Sequence, residues 1–388
     1  MRFNPPLGPF AERVLDLVAV KAVGFVRSQP VLCIAALAAA ASMVAVPPSM
    51  AYGEYVDLRV LGLLFCLMLC VAGLQRANLF SFVAGRLLRG ERSCTFVSLA
   101  LVLLCFFSSM FVTNDVALIA LVPFTLFLFS VAQQTRLIAL VVVLQTLAAN
   151  LGSMVTPIGN PQNLFLFAHF EADLASFLLT LAPYAALSLG LLVVCTCALC
   201  RPGRMKAQLD PASGQLRTAP ALVFGLLFVV AALAVARAIP LPVALGVVVA
   251  GALALDPGAF RKVDYYLLLT FVCFFVFSGN LSHIPWLQQV LSGLMEQAPF
   301  AAGLAVSQVI SNVPAAVLLA PFTADWQQLL LGVDIGGLGT PVASQASLIS
   351  LELYRRARVG SAGRFLLIFA LLNVGFLAAN VGLYALIS

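Results

Sequence analysis

The sequence predicts an all-α polytopic membrane protein with two inverted repeats, each containing a re-entrant hairpin and a broken transmembrane helix. Of its 388 residues, 62% are hydrophobic and only 9% are charged. About a quarter of a soluble domain is charged, so lipid is the solvent of this chain. A polar motif at 109–117 occurs again at 307–315, and a Gly- and Pro-containing motif at 150–157 occurs again at 334–341. Such paired, interrupted segments are typical of secondary transporters.

The two motifs recur in the same order along the chain. Asn114 aligns with Asn312, 198 residues later, and Asn150 aligns with Asp334, 184 residues later. Further matches at the same two shifts are Ser109 with Ser307, Pro123-Phe124-Thr125 with Pro321-Phe322-Thr323, and Thr156-Pro157 with Thr340-Pro341. A repeat of this length indicates two halves of one membrane domain rather than separate soluble domains.

The apolar runs and polar breaks divide the chain into four predicted parts. These are an N-terminal cytoplasmic or interfacial arm at 1–29, a first repeat at 30–200, a cytoplasmic linker at 201–217 and a second inverted repeat at 218–388. The predicted hairpins are 94–132 and 298–323, and the predicted broken helices are 137–169 and 329–354.

The basic residues predict the orientation of the chain. The net charge of +6 comes from short loops between apolar runs, where basic residues indicate the cytoplasmic side rather than nucleic-acid binding. This places the N-terminus in the cytoplasm and the C-terminus outside, in a bacterial inner membrane. Residues 76–92, with four arginines, are predicted to form an interfacial helix. The cysteines and histidines show no ligand spacing, so we expect no cofactor, and no metal beyond Na⁺.

Each predicted hairpin has two apolar arms that are short for a full span and that enclose a polar tip. Basic residues flank both ends of the first hairpin, so it is predicted to enter and leave the membrane on one side. The helix breaks at 150–161 and 334–345 free backbone N–H groups that suit an anion and carbonyls that suit Na⁺. Thr156 and Thr340 are expected to hydrogen-bond the backbone freed by these breaks.

Asp115, at the first hairpin tip, has two interpretations. A carboxylate at mid-membrane is a functional hypothesis by default, so Asp115 is a candidate to carry a coupling proton or to ligate Na⁺. Asp also caps helix N-termini, and Asp115 lies where the second arm of the hairpin begins. Asp334 faces a similar choice, although its repeat mate, Asn150, is neutral.

The two Asn-bearing tips and the run Gly159-Asn160-Pro161-Gln162-Asn163 resemble the ion transporter superfamily, which includes the divalent anion:sodium symporters and the arsenite efflux pumps. The resemblance covers residues 30–388 and is strongest to bacterial inner-membrane permeases of that group. It implies a homodimer and two cation sites. The implied cation or coupling residues are Ser109, Thr113, Asn114, Asp115 and Gly159 in the first half, and Ser307, Ser311, Asn312 and Ala343 in the second. The candidate substrate-binding residues are Asn114, Asn312, Thr113, Ser311, Asn160, Asn163 and Ser344.

The tips depart from the symporter pattern at one position each. The Thr of sodium-coupled anion members is Asp115 in the first tip and Val313 in the second, so both substrate-contacting hydroxyls are missing. An Asn-Asp pair instead resembles the arsenite pumps. The sequence therefore predicts a transporter of a small anion or oxyanion, coupled to Na⁺ or H⁺ and working by alternating access. Arsenite or antimonite efflux and cation/proton antiport are the alternatives.

Two other classes of protein use similar features. Asp115 and Asp334 are the kind of carboxyl pair that an intramembrane aspartyl protease needs. Against this, Asp115 lies at a hairpin tip, and glycines follow Asp334 rather than precede it. A channel is disfavoured because duplicated half-helices are typical of rocking transporters. With the protease and the channel both disfavoured, the sequence predicts a transporter and no enzyme.

Overall fold

Helices make up almost all of the structure, as the apolar composition requires. The computed structural model describes residues 24–26, 29–50, 52–87, 90–200, 203–207 and 215–387. Within these residues, seven helices are long and apolar enough to cross a membrane, by length and composition. The prediction of an all-α polytopic membrane protein is confirmed. The arm predicted at 1–29 lies almost entirely outside the described residues.

The described part of the first half begins at Pro30 and ends with a short strand. Its elements are α1 (Pro30–Ala45), α2 (Tyr52–Tyr55), α3 (Leu58–Arg76), α4 (Leu79–Leu87), β1 (Gly90–Ser93), α5 (Cys94–Ser109), α6 (Asn114–Val131), α7 (Thr135–Ser153), α8 (Pro161–His169), α9 (Leu174–Leu199) and β2 (Arg204–Ala207).

The second half is helical throughout its described length. Its elements are α10 (Thr218–Val235), α11 (Leu241–Leu255), a 3₁₀ turn (Pro257–Lys262), α12 (Tyr265–Ser282), α13 (Pro285–Gln297), α14 (Pro299–Ile310), α15 (Asn312–Leu319), a 3₁₀ turn (Ala320–Phe322), α16 (Trp326–Gly336), α17 (Gln345–Ala357) and α18 (Ala362–Ile387).

Polar side chains mark the start of several helices. The Asp57, Ser93, Asp173 and Asp325 side chains each accept a backbone N–H from the first turn of the helix that follows. A cap of this kind satisfies one of the donors that a helix N-terminus leaves unpaired. These caps lie at the ends of apolar runs, where they fix the boundaries of α3, α5, α9 and α16.

The two helices that precede the breaks pack closely against the hairpins. A Cβ placed on Gly152 in α7 would lie 2.1 Å from the Phe106 carbonyl oxygen of α5. A Cβ on Gly332 in α16 would lie 2.4 Å from the Phe300 carbonyl oxygen of α14. Both distances are far below van der Waals contact, so glycine is what lets each helix approach its hairpin.

The sequence predicted that the breaks begin at Asn150 and Asp334, and the structure differs. Both are in the last turns of helices, since α7 runs to Ser153 and α16 runs to Gly336. The glycine that follows each of them serves the contact with the hairpin instead of interrupting the helix. The two polar side chains are therefore held on rigid helix ends rather than on loops.

The predicted interfacial helix at 76–92 is also shorter than expected. Helix α4 ends at Leu87, and Gly90 has φ +91°, a conformation that other residues rarely adopt. Residues 90–93 pair antiparallel with 204–207, with Gly90 opposite Ala207. The segment at 201–217, predicted as a loop, thus contributes a strand that joins the end of α9 to the start of α5.

Candidate functional site

The two hairpin tips place an asparagine at the start of a helix. Asn114 is the first residue of α6 and Asn312 the first of α15, and each is only 6% exposed. The side-chain oxygen of each accepts the N–H of the following residue at 3.0 Å. This bond fixes the amide and leaves its NH₂ group directed away from its own helix. In the first half, that NH₂ group donates to Asn150 Oδ1 at 3.0 Å.

The tips are bonded to the breaks by equivalent residues in the two halves. Thr156 Oγ1 donates to the Met110 carbonyl, and Thr340 Oγ1 donates to the Gln308 carbonyl. These two pairs are related by the shifts of 184 and 198 residues that align the motifs. The two halves therefore share this one hydrogen bond between the hairpin and the break.

The two threonines were expected to bond the backbone freed by the breaks, and Thr340 does so, since its Oγ1 accepts the Ala343 N–H at 3.2 Å. As donors, both hydroxyls bond other groups. The acceptors belong to the hairpin tips. The freed Met154 carbonyl is bonded by Asn163 Nδ2 at 2.9 Å, and the equivalent Leu338 carbonyl by Gln308 Nε2 at 2.7 Å. An amide in each half reaches these carbonyls because it extends further than a threonine hydroxyl.

Asn150, on the end of α7, is bonded across the molecule by the second half. Its Oδ1 accepts Ser344 Oγ at 3.0 Å, and its Nδ2 donates to Ser347 Oγ at 3.4 Å. Both serines lie where the chain resumes after the second break. The Asn150 side chain is thus joined to the first tip on one side and to the second half on the other.

Asp334, the repeat mate of Asn150, makes the reverse contacts with the first half. Gln162 Nε2 donates to Asp334 Oδ1 at 3.1 Å. Asn160 and Asn163, the repeat mates of Ser344 and Ser347, lie on either side of Gln162 in the chain, and their amides donate to Ser153 Oγ and to the Met154 carbonyl. Asp334 Oδ2 has no hydrogen-bond partner among the described residues. The first tip and the two broken helices therefore meet in one buried polar centre.

Asp115 lies beside this centre, in a cavity of about 410 Å³. The cavity is lined by residues of the first tip, by Pro161 and Gln345 at the starts of the resumed helices, and by Lys262 and Asp264. The N-cap residue of α6 is Thr113, whose side chain makes no cap bond, and Asp115 lies in the first turn of this helix, where a carboxylate suits the helix dipole. Its Oδ1 is buried without a partner among the described residues, and the residue lines the cavity.

The remaining predicted residues of the second half come together. Ser311 Oγ donates to the Ala343 carbonyl at 3.3 Å, and the Asn312 N–H donates to the same carbonyl at 3.0 Å. Ser311 has φ +75°, which is unusual for a residue with a side chain. These bonds hold the second tip tightly against the second break.

The first half does not repeat this arrangement. Thr113, the mate of Ser311, has φ −59° and lines the cavity. Gly159, the mate of Ala343, approaches the Ser153 carbonyl instead, since a Cβ there would lie 2.1 Å from its oxygen. The first tip is therefore open to the cavity, whereas the second is closed against its break.

Ser109 and Ser307 take a packing role in this structure. Their hydroxyls donate to carbonyls of their own helices, Phe106 at 2.9 Å and Gly303 at 2.7 Å. Each also fills the space beside a glycine of the facing helix, Gly152 or Gly336. Neither hydroxyl is among the hydrogen bonds that join the polar centre.

Four residues of the centre and cavity were missed by sequence reasoning. Asn150, Gln162 and Ser347 were not assigned a role, although the shift of 184 residues pairs Ser347 with the predicted Asn163. The repeat alignment alone could have identified Ser347. No sequence signal pointed to Asp264, because α12 brings it to the cavity from outside both motifs.

Comparison with known proteins agrees with this architecture. Residues 22–346 match the family described as CitMHS, citrate transporter. The chain belongs to the citrate transporter family. This member is 33% identical over 300 residues to inner membrane protein YbiR of Escherichia coli strain K12, covering 76% of this chain and 79% of the relative.

Two further relatives of this citrate transporter family member carry transporter names. It is 30% identical over 320 residues to the uncharacterized transporter MJ0456 of Methanocaldococcus jannaschii, covering 80% of this chain and 84% of the relative. Over a shorter stretch of 140 residues it is 35% identical to the silicon efflux transporter LSI3 of Oryza sativa subsp. japonica, covering 35% of this chain and 28% of the relative. The protein is a multi-pass membrane transporter, not an enzyme, which removes the protease alternative.

Proposed function

We propose that this protein is a cation-coupled secondary active transporter that moves a small anion or oxyanion across the inner membrane by alternating access. One observation carries the proposal: both broken helices and the first tip meet in a buried centre of amides, hydroxyls and one carboxyl group. Amide and hydroxyl donors hold an anion without a fixed positive charge. Polar side chains inside a membrane protein are costly and mark substrate or ion pathways.

The charged residues around the site limit the net charge of the substrate. Among the described residues, no Lys or Arg is hydrogen-bonded to the centre, and Lys262 shares the cavity with Asp264 and Asp115. A trivalent anion such as citrate would meet more carboxylates than cations on entering. We therefore propose a substrate of low charge, held by helix ends, amides and hydroxyls together with a co-bound cation.

We propose that the coupling cation acts at the first tip. Asp115 supports this, because its carboxyl group is buried, lines the cavity and has an oxygen without a partner among the described residues. Ser311, Asn312 and Ala343 form the second candidate site, and their mutual bonds in this structure would have to loosen to admit a cation.

We propose that the cavity opens to the cytoplasm, with the N-terminus inside and the C-terminus outside. Lys262, which follows Arg261, lines the cavity, and this basic pair supports the orientation because positively charged loops stay on the cytoplasmic side. We further propose that hairpins α5–α6 and α14–α15 are re-entrant from opposite faces, and that the protein is a homodimer. Alternating access would then close the first tip and open the second.

The test is flux measured in liposomes under an imposed Na⁺ or pH gradient, with succinate, citrate, sulfate, phosphate and arsenite as substrates. We expect uptake of one low-charge anion and loss of gradient-driven uptake in Asp115→Asn. The matched control is Asp173→Asn at the exposed cap of α9, where Asn serves equally well. Gradient-driven flux that survives Asp115→Asn would move coupling to the Asn114 and Asn312 tips. Flux of none of these substrates under either gradient would overturn the proposal.

A second candidate function is efflux of a weakly acidic hydroxide such as arsenous or antimonous acid. Two observations favour it: Asp115 stands in the cavity, where it disfavours an anion, and one relative is named a silicon efflux transporter. In the same liposomes, arsenite movement driven by a pH gradient, with no movement of sulfate or phosphate, would select this function. Cation movement without any second substrate would instead select cation/proton antiport.

A further inference from the structure

A long apolar groove runs along the outside of the first hairpin. Its volume is about 740 Å³, and its walls come from α4, the end of α5, the first tip, α10 and the start of α9. Among the described residues of the wall, Ser108 alone is polar, and its hydroxyl donates to the Cys105 carbonyl of its own helix. Along α10 the groove extends from Phe228 to Ala236, about 12 Å at 1.5 Å per residue.

Two side chains separate this groove from the polar cavity. Phe111 of the first tip and Ile158 of the first break line both the groove and the cavity that holds Asp115. Val112, next to Phe111, is buried against Phe80 and Phe228, which form the groove's other walls. Whatever fills the groove therefore presses on the back of the tip whose front faces the cavity.

The apolar lining of the groove and the membrane around it indicate what kind of molecule fills it. The groove lies among membrane-spanning helices, where lipid tails are the available apolar molecules. Helix α4, which carries Leu79 and Val83 into the groove, ends its last turn with the exposed Arg86. Residues 79, 83 and 86 share one face of a helix. A basic side chain at the end of an apolar groove matches an anionic headgroup above an acyl chain.

We propose that the groove binds one acyl chain of an anionic phospholipid, with the headgroup at Arg86 and the chain against Phe111 and Ile158. The bound chain supports the thin partition between the cavity and the bilayer and keeps water from leaking around the first tip. It also makes the position of the tip depend on lipid, since the groove changes shape if the tip moves relative to α10.

The test uses a phospholipid with a diazirine at the end of one acyl chain, placed in liposomes with the full-length protein. Crosslinked peptides are then mapped by mass spectrometry. We expect phosphatidylglycerol to label the segments at 104–112 and 228–236 well above the level on exposed α18. Phosphatidylcholine should label them less, and Arg86→Gln should reduce the preference for phosphatidylglycerol by about fivefold. Arg136→Gln, another exposed arginine, should leave it unchanged.

A second variant tests the groove without relying on the headgroup. Ala232→Trp places a large side chain in the groove and should remove the labelling of 104–112, whereas Ala370→Trp on exposed α18 should not. Even labelling around the whole chain, equal labelling by both lipids, or equal effects of the two Trp variants would each overturn the proposal. None of these readouts requires transport, so they are independent of the proposed substrate.

Discussion

Gln162 of the first half donates a hydrogen bond to Asp334 of the second half over 3.1 Å. Asn150, the repeat mate of Asp334, accepts a hydrogen bond from Ser344 of the second half at 3.0 Å. Each half thus holds the polar residue at the end of the other half's helix. This crossed pairing joins the two halves at the centre of the molecule, so a change at one break is felt at the other.

Removing the amide of Gln162 should destabilise the protein through Asp334. In Gln162→Leu, Asp334 Oδ1 loses its donor in a buried site, which costs about 1–3 kcal/mol. The measurement is the free energy of unfolding in detergent micelles. The double variant with Asp334→Leu should recover most of the loss, because both partners are then apolar. If the losses of stability in Gln162→Leu and Asp334→Leu simply add in the double variant, the bond has no energetic role.

Adding one methyl group to Gly152 should separate α7 from the first hairpin. A Cβ at this position would lie 2.1 Å from a backbone oxygen, and a backbone atom cannot move aside as a side chain can. We expect Gly152→Ala to cost more than about 2 kcal/mol, as overpacking in tight sites does. Gly375→Ala is the matched control, since nothing lies within 4 Å of its added Cβ. That control should be neutral or slightly stabilising, as measured by thermal melting.

Ser311 should not tolerate a β-branched residue. Its φ of +75° is a genuine outlier for such side chains, so Ser311→Thr should cost about 1–3 kcal/mol. Thr113→Ser at the equivalent position, where φ is −59°, should change the melting temperature little. A Ser311→Thr protein as stable as wild type would mean that the second tip relaxes to the conformation of the first.

Acid should weaken the contact between α3 and the loop after α11. Arg76 bonds Asp256 through two nitrogens, at 2.7 and 3.0 Å, and with the charge of Arg217 this holds the pKa of Asp256 below its usual range. A carboxyl whose pKa is lowered on folding stabilises the protein above its unfolded pKa and loses that effect as pH falls through its folded pKa.

At pH values below about 4, where an Asp ordinarily titrates, the melting temperature should therefore decrease. Asp256→Asn should make this decrease smaller. The pair is partly exposed, so the effect is modest and shrinks in high salt. Glu54→Gln, at an exposed position, serves as the control and should leave the profile unchanged. A profile that keeps its full slope in Asp256→Asn would assign the acid sensitivity to another group.

The repeat alignment predicted the tips and breaks because their residues differ in polarity from the apolar chain around them. It placed Asn114 and Asn312 in the polar tips between the apolar arms, and the structure makes each of them the first residue of the helix that follows. It did not predict that Gln162 meets Asp334, because pairing across the molecule depends on how the halves pack. It also ended α7 too early, since a glycine that serves close packing looks the same in sequence as one that breaks a helix.

The short β-ribbon between 90–93 and 204–207 anchors one end of the first hairpin. The ribbon, with the bond from Thr95 Oγ1 to the Cys200 carbonyl at 2.7 Å, anchors the start of α5 to the end of α9. The tip lies at the other end of α5, which has 16 residues and is therefore about 24 Å long. A tilt of about 10° at the anchored end moves a tip on such an arm by about 4 Å, more than the length of a hydrogen bond. A small tilt at the anchored end would therefore produce a larger displacement at the tip, where Asp115 lines the cavity.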